Sequence, residues 1–273
     1  MSKKVLIHSL IFSPDGVSTA YLYNDIGLRF QKEGYEVVVL STTPHFNVVE
    51  EQLAKQPLEW KIPGIYKESN FYGIKVIHVP QKKFKSTALR IIGFVYWHII
   101  SFILGLCIRD VSVIVSPSPP LSIGMLNLIL GKLKGCKVIY NVQEIYPDIL
   151  KKKTGPVIAF LKKVERCIYN RSDAVTTIDD VFYNTIVGRF ENPSKLHIIP
   201  NFVDTDLYNP KNVIPLDEKL FPKTHALKLL YAGNIGLAQD WSPLVALVEK
   251  TKVLDVEYLS LIHISEPTRP LYI

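Results

Sequence analysis

The chain has 273 residues, 48% hydrophobic and 21% charged, a balance that excludes a disordered protein and supplies one large core or two ordinary ones. A formal charge of +7 and a pI near 9.1 favour an anionic partner: nucleic acid, nucleotide phosphates or an anionic membrane surface. Cys107, Cys136 and Cys167 are odd in number and lack metal-ligand spacing, so buried free thiols in a reducing compartment are expected.

Met-Ser-Lys-Lys leads into an apolar run too short for a signal peptide, so Val5 to Leu10 reads as a buried parallel strand of a cytoplasmic protein. Phe12 to Ser18 is a turn. Tyr21, Leu22, Ile26, Leu28 and Phe30 then keep helical spacing up to Gly34, which stands where a helix stops. Tyr35 to Ser41 is a second strand, and strand–helix–strand in this order is a βαβ unit of a doubly wound sheet. Pro44 to Asn70 is a polar and aromatic excursion with little periodicity; Ile74 to Val79 is a third strand.

Lys82, Lys83, Lys85 and Arg90 lead into Ile91 to Ile108, which carries no charge until Arg109. Three readings stay open for this stretch: a transmembrane pass, a helix lying on an anionic membrane, or a core helix behind a solvated basic loop. Asp110 to Ser116 is a strand, Leu121 to Leu133 a helix, Lys137 to Asn141 a strand, Lys162 to Tyr169 a basic helix. Ala174 to Ile178 and Leu196 to Ile199 are further strands. Residues 205–226 read as an interdomain crossing, and Leu229-Leu230-Tyr231 runs into the turn Gly233-Asn234-Ile235-Gly236 before a helix from Trp241 to Lys250.

Chemistry is narrowed by what is missing from the pattern. The sequence holds no zinc-type Cys/His cluster, no Gly-x-Ser-x-Gly elbow, no Walker A loop, and no Gly-x-Gly-x-x-Gly fingerprint. Helix-turn-helix and zinc-finger patterns are absent too, so the positive charge is not assigned to nucleic acid. Four loops after strands remain: Phe12 to Ser18, Pro117 to Ser122, Gln143 to Asp148 and Gly233 to Gly236. Open α/β sheets bind ligands at the carboxyl ends of their strands, and glycine turns before helices suit a diphosphate. Glu144 and Asp148 are placed to contact sugar hydroxyls or act as a base; an N-cap or first-turn charge is the alternative for each.

These loops carry a likeness. Phe12-Ser13-Pro14-Asp15-Gly16, Gly34-Tyr35-Glu36-Val37, Pro117-Ser118-Pro119-Pro120-Leu121, Val142-Gln143-Glu144-Ile145-Tyr146-Pro147-Asp148, Ile199-Pro200-Asn201-Phe202-Val203-Asp204 and Tyr231-Ala232-Gly233-Asn234-Ile235-Gly236 stand in a familiar order. In that set the chain resembles the family-4 retaining glycosyltransferases of the two-domain α/β GT-B fold. It looks closest to the bacterial branch that makes capsule, colanic-acid and O-antigen polysaccharides (fucosaminyltransferase-like enzymes). The resemblance implies transfer of a sugar from a nucleotide-sugar donor to a polyprenyl-linked or glycan acceptor at the inner face of the membrane, without cofactor or metal. Carried over, Gly16, Asn201, Gly233, Asn234 and Gly236 hold the donor or its diphosphate, Glu144 and Asp148 are catalytic, and Lys82, Lys83, Lys85 and Arg90 meet the membrane surface.

The implied organisation is an acceptor-side Rossmann-like domain over residues 1–204, a linker over 205–226, and the first βα unit of a donor-binding domain over 227–257. Several positions depart from the pattern. Leu237-Ala238-Gln239-Asp240-Trp241 lacks the usual cations, Phe202 replaces a glycine, and the acidic Glu-x7-Glu element that the family carries far downstream in its second domain is absent. Residues 258–273 resemble translated sequencing read-through, so the expectation is a C-terminally truncated enzyme without activity of its own. A membrane-surface scaffold that shares the sheet but transfers no sugar is the alternative.

Overall fold

A computed structural model describes residues 3–48, 50–81, 86–150, 154–203, 205–206, 209–212, 226–231 and 241–260. The chain divides into two compact units, Met1–Val203 and Asp204–Ile273.

The first unit is built on one nine-stranded sheet. In chain order its elements are β1 (Lys4–His8), α1 (Ser18–Lys32), β2 (Glu36–Thr42), α2 (Glu50–Lys55), β3 (Glu59–Ile62), β4 (Tyr66–Phe71), β5 (Ile74–Val79) and α3 (Thr87–Cys107). Then follow β6 (Val111–Ser118), α4 (Leu121–Lys134), β7 (Lys137–Val142), α5 (Pro156–Arg171), β8 (Ala174–Thr177), α6 (Asp180–Ile186) and β9 (Leu196–Ile198). The strand order is β3-β4-β5-β2-β1-β6-β7-β8-β9. All neighbours are parallel except β3 with β4 and β4 with β5. The chain works outward from β1 through β2 to β5 and then returns to place β6 on the other side of β1. That reversal is the topological switch at which open α/β sheets leave a crevice.

Successive side chains on a strand point to opposite faces, so a strand covered on both sides is apolar throughout. Val5 and Ile7 pack with Tyr23 of α1, whereas Leu6 packs with Trp97 of α3 and Leu130 of α4. Beyond them Tyr140, Val142, Ile168 and Tyr169 form a third cluster under α5. The stop at Gly34 is a Schellman closure: its φ is +84°, its N–H donates to Gln31 O, and Tyr35 N–H donates to Phe30 O. The Phe30 and Tyr35 rings meet edge to face at 5.7 Å, supplying the apolar contact that accompanies such an end.

Two expectations change, and one that was left open gains a geometry. The excursion over 44–70 is structured: it contributes α2 and an antiparallel pair, β3 and β4, that extends the sheet edge. The cysteines are free but not buried, since Cys107 at the end of α3 is exposed and Cys136 and Cys167 are half-buried. The stretch over 91–108 forms, up to Cys107, the greater part of a 21-residue helix, long and apolar enough to cross a membrane, that packs on the sheet. Its fully buried residues are Trp97, Ser101 and Gly105, and Tyr96, Ile100 and Leu104 pack partly buried against the same core. Trp97 Nε1 donates to Ser41 O at 3.3 Å, and His98 Nε2 meets Ser122 Oγ of α4 at 2.9 Å. Lys134 Nζ donates to the carbonyls of Leu106 and Ile108 and so closes the helix end.

In the second unit, β10 (Leu227–Tyr231) and β11 (Val256–Ser260) pair in parallel around α7 (Ser242–Lys250). Gly233, Asn234 and Gly236, with Lys82, Lys83 and Lys85, lie outside the described residues.

Candidate functional site

The carboxyl ends of β1, β6, β7 and β9 bring together three of the predicted loops and Asn201. The first loop is clipped down by Asp15, whose Oδ1 accepts from the N–H groups of His45 and Phe46, both at 2.7 Å. Gly16 N–H donates to Phe46 O and Asn47 O, so that N–H is engaged with the loop after β2. The X-Pro bonds at Ser13–Pro14, Ser118–Pro119, Pro119–Pro120 and Tyr146–Pro147 are cis.

A buried polar ladder crosses this edge. Tyr23 Oη donates to Asn141 Oδ1 at 2.6 Å, and Asn141 Nδ2 donates to Thr176 Oγ1 at 2.8 Å. Gln143 Nε2 also reaches Asn141 Oδ1, at 2.7 Å, and Asn201 Nδ2 donates to Gln143 Oε1 at 2.9 Å. Asn201 is thereby tied to the loop that carries Glu144. Burial drives the Tyr23 phenol well above its ordinary range, so it stays a neutral donor.

Glu144 and Asp148, four residues apart in one loop, are in different situations. Glu144 is exposed and its carboxylate has no partner among the described residues; its backbone carbonyl accepts from Ser118 Oγ at 3.2 Å. Asp148 is held by two cations, Arg189 Nη2 in close contact and Lys162 Nζ at 3.4 Å. Burial works against its ionisation, but the Arg189 hydrogen bond and both charges hold its carboxyl below the usual range. Arg189 Nη1 also reaches Glu165 Oε1 at 2.6 Å, and Tyr169 Oη donates to the same oxygen at 3.0 Å. Neither Arg189 nor Glu165 stands out in the sequence; the available signal was that Glu165 shares a helix face with Leu161, Ile168 and Tyr169.

Helix ends complete the edge. α1, α4 and α5 begin at Val17, Pro120 and Gly155, none of which caps its helix through a side chain, and none has an acidic residue in its first turn. By contrast, α6 is closed by Asp179, whose carboxylate accepts from Phe182 N–H. Open helix N-termini are the standard means of holding an anion by backbone groups. Among the described residues no group of three or more His, Cys, Asp or Glu side chains is arranged to hold a metal ion.

Solved structures share this architecture. The Anabaena protein HepE in complex with UDP-glucose superposes with a TM-score of 0.60 at 11% identity, over 94% of this chain and 60% of that one. Sucrose-phosphate synthase from Thermosynechococcus elongatus gives 0.58 at 9% identity, over 94% and 70%. WaaG, a glycosyltransferase involved in lipopolysaccharide biosynthesis, gives 0.51 at 14% identity, over 94% and 70%. The chain thus spans 60% of the length of HepE, and at these identities the likeness establishes the GT-B fold. A comparison with curated proteins returned no match. The model of Glycosyltransferase Family 4 matches residues 22–207, more than half of the chain and nearly all of the first unit after β1, so the chain belongs to glycosyltransferase family 4.

Proposed function

We propose that the first unit is the acceptor side of a retaining transferase that moves a hexose or aminosugar from a nucleotide-sugar donor to a lipid-linked or polysaccharide acceptor. The setting is bacterial surface polysaccharide synthesis, of the fucosaminyltransferase-like kind. The observation that carries the reading is Glu144: an exposed carboxylate without a partner among the described residues, on an edge where α1, α4 and α5 begin without a side-chain cap. Glu144 takes a hydroxyl of the sugar in transfer, while Asp148, engaged by Arg189 and Lys162, holds the loop in place. Gly16 gives room at the crevice rather than its N–H, which is already bonded. Asn201 orients the Glu144 loop through Gln143. Gly233, Asn234 and Gly236 approach the donor diphosphate, and backbone amides and helix ends neutralise it without a metal.

The protein sits on the cytoplasmic face of the membrane. The outward side of α3 supports this: Leu89, Ile91, Ile92, Val95, Ile99 and Ile103 are exposed beside Arg90, just after the run containing Lys82, Lys83 and Lys85. Apolar side chains next to cations match the boundary of an anionic bilayer.

The test is sugar transfer from a panel of nucleotide-sugars to polyprenyl-diphosphate-linked acceptors. It is run on this chain and on a chimera joined to a donor-binding unit that carries the acidic Glu-x7-Glu element. Transfer by the chimera, none by this chain alone, and a loss of about 100-fold or more in Glu144→Gln are expected. A chimera that transfers nothing, or is indifferent to Glu144→Gln, contradicts the reading.

A further inference from the structure

We infer that the groove between α1 and the inserted α2–β4 segment binds a carbohydrate chain. The groove encloses about 900 Å³, the upper range for ligand sites; it opens on the β2–β5 flank of β1, shares Ser13 with the first candidate loop, and does not include Glu144, whose loop follows β7 on the other flank. One wall is a single face of α1, with Tyr21, Asn24, Asp25 and Leu28 at helical spacing. The rest is formed by α2 and the strands it introduces.

Its floor is fixed by a directional relay. Ser13 Oγ donates to Gln56 Oε1 at 2.7 Å, and Gln56 Nε2 donates to Ser69 Oγ at 2.8 Å. Ser69 Oγ meets His78 Nε2 at 2.7 Å, and His78 Nδ1 meets Thr42 O at 3.0 Å. Since a carbonyl only accepts, His78 Nδ1 carries the proton and Ser69 donates to Nε2. With these groups satisfied, three others are left over. Asn24 and Asn70 spend their carbonyl oxygens on Ser13 N–H and Gly73 N–H, and neither amide nitrogen has a partner among the described residues. Gln52 Oε1 is buried without a partner.

Charge and shape select the ligand class. Lys61 pairs with Glu59 and Lys75 with Glu68, and Asp25 and Lys55 add one charge of each sign to the lining, so in a chain of net charge +7 this groove is balanced. A phosphate-rich ligand gains nothing there; a neutral polyhydroxyl chain finds donors, acceptors and rings. Tyr21 is 46% exposed and Tyr72 is 74% exposed, each offering an aromatic face to the C–H side of a sugar ring. Tyr72 has φ of +48° and Gly73 φ of +89°, the two-residue type I′ connection between β4 and β5. Tyrosine is a poor residue for that backbone position, where asparagine is ordinary. Gln31 Nε2 donates to Tyr72 O at 3.2 Å and pins the turn to α1. A strained, exposed ring kept at the lip of a groove points to use of that ring.

The proposal rests on the transferase reading only for the source of the glycan, a segment of the acceptor distant from the bond being made. The test uses this chain without donor, titrated with maltohexaose, cellohexaose and chitotetraose by calorimetry and saturation-transfer NMR. At least one of the three is expected to bind, with affinity reduced tenfold or more in Tyr72→Asn while the melting temperature rises. Asp25→Ala is expected to weaken binding as well, with the fold intact. Three results would overturn the proposal: no binding, binding unchanged in both variants, or displacement of the sugar by millimolar inorganic phosphate. Sugar binding by a chain whose chimera never transfers would sink the transferase reading alone, and transfer without groove-dependent binding this one alone.

Discussion

Helices α1 and α3 cover opposite faces of one sheet, and the sides they turn away from it differ in kind. α1 buries Ala20, Tyr23, Asn24 and Gly27, and its other positions include Arg29, Gln31 and Lys32. α3 buries only Trp97, Ser101 and Gly105 of its 21 residues, and the side left over is apolar. Both helices are held by their inner stripe, so stability does not explain the outer chemistry. That difference is what the proposals above rest on: polar ligands on the α1 side, and a surface less polar than water on the α3 side.

The largest expected effect tests the inner stripe. Trp97 is fully buried, and Trp97→Ala is expected to lower unfolding free energy by about 3–5 kcal/mol in urea titrations. Ile99→Ala, two residues on and 54% exposed, is expected to change it by less than about 1 kcal/mol. Equal costs would erase the distinction between the two sides of α3.

Acid provides the next test. Burial pulls His8 and His78 down to about 4, so both are neutral in the fold at neutral pH. For a histidine with a depressed folded value, the stabilising contribution is complete above the unfolded value of about 6.5 and is lost as pH falls toward 4. Each contributes up to roughly 3 kcal/mol across that window, against which Glu165, raised by burial, titrates in the opposite sense. His78→Gln is therefore expected to flatten the fall in urea midpoint between neutral pH and pH 4.5. Parallel curves for variant and wild type would remove His78 from the account.

The smallest effect on stability carries the largest consequence for the outer face. Ile99→Ser with Ile103→Ser is expected to cost less than about 1 kcal/mol, because both side chains are exposed. Co-sedimentation with phosphatidylglycerol vesicles is expected to fall tenfold or more, while Arg29→Ser on α1 leaves it unchanged. Undiminished sedimentation of the double variant would place any membrane contact elsewhere.

The parallel part of the sheet was legible because residues covered on both faces leave apolar runs, as at Val37 to Leu40, and because Gly34 stops α1 where a left-handed residue is required. The segment over 44–73 was not. β3 is exposed along its whole length, so the brief alternation of Glu59-Trp60-Lys61-Ile62 marks no buried face, and β4 is held by its pairing with β5 rather than by a face of its own. The helix over 91–108 was visible by composition, but an apolar inner face and an apolar outer face look alike in sequence. At the candidate site, Glu144 and Asp148 were equivalent until Arg189, 41 residues beyond Asp148, was brought beside one of them. Partners so far apart leave no local pattern.

The measurement that bears most directly on the central claim is sugar transfer by the chimera with Glu144→Gln and Asp148→Asn compared side by side. The account predicts that Glu144→Gln lowers turnover about 100-fold or more with melting temperature unchanged, since that carboxylate contacts nothing described. Asp148→Asn is predicted to lower melting temperature first, because it leaves Arg189 and Lys162 without their shared partner. Full turnover in Glu144→Gln, with loss confined to Asp148→Asn in a protein of undiminished stability, would contradict the account.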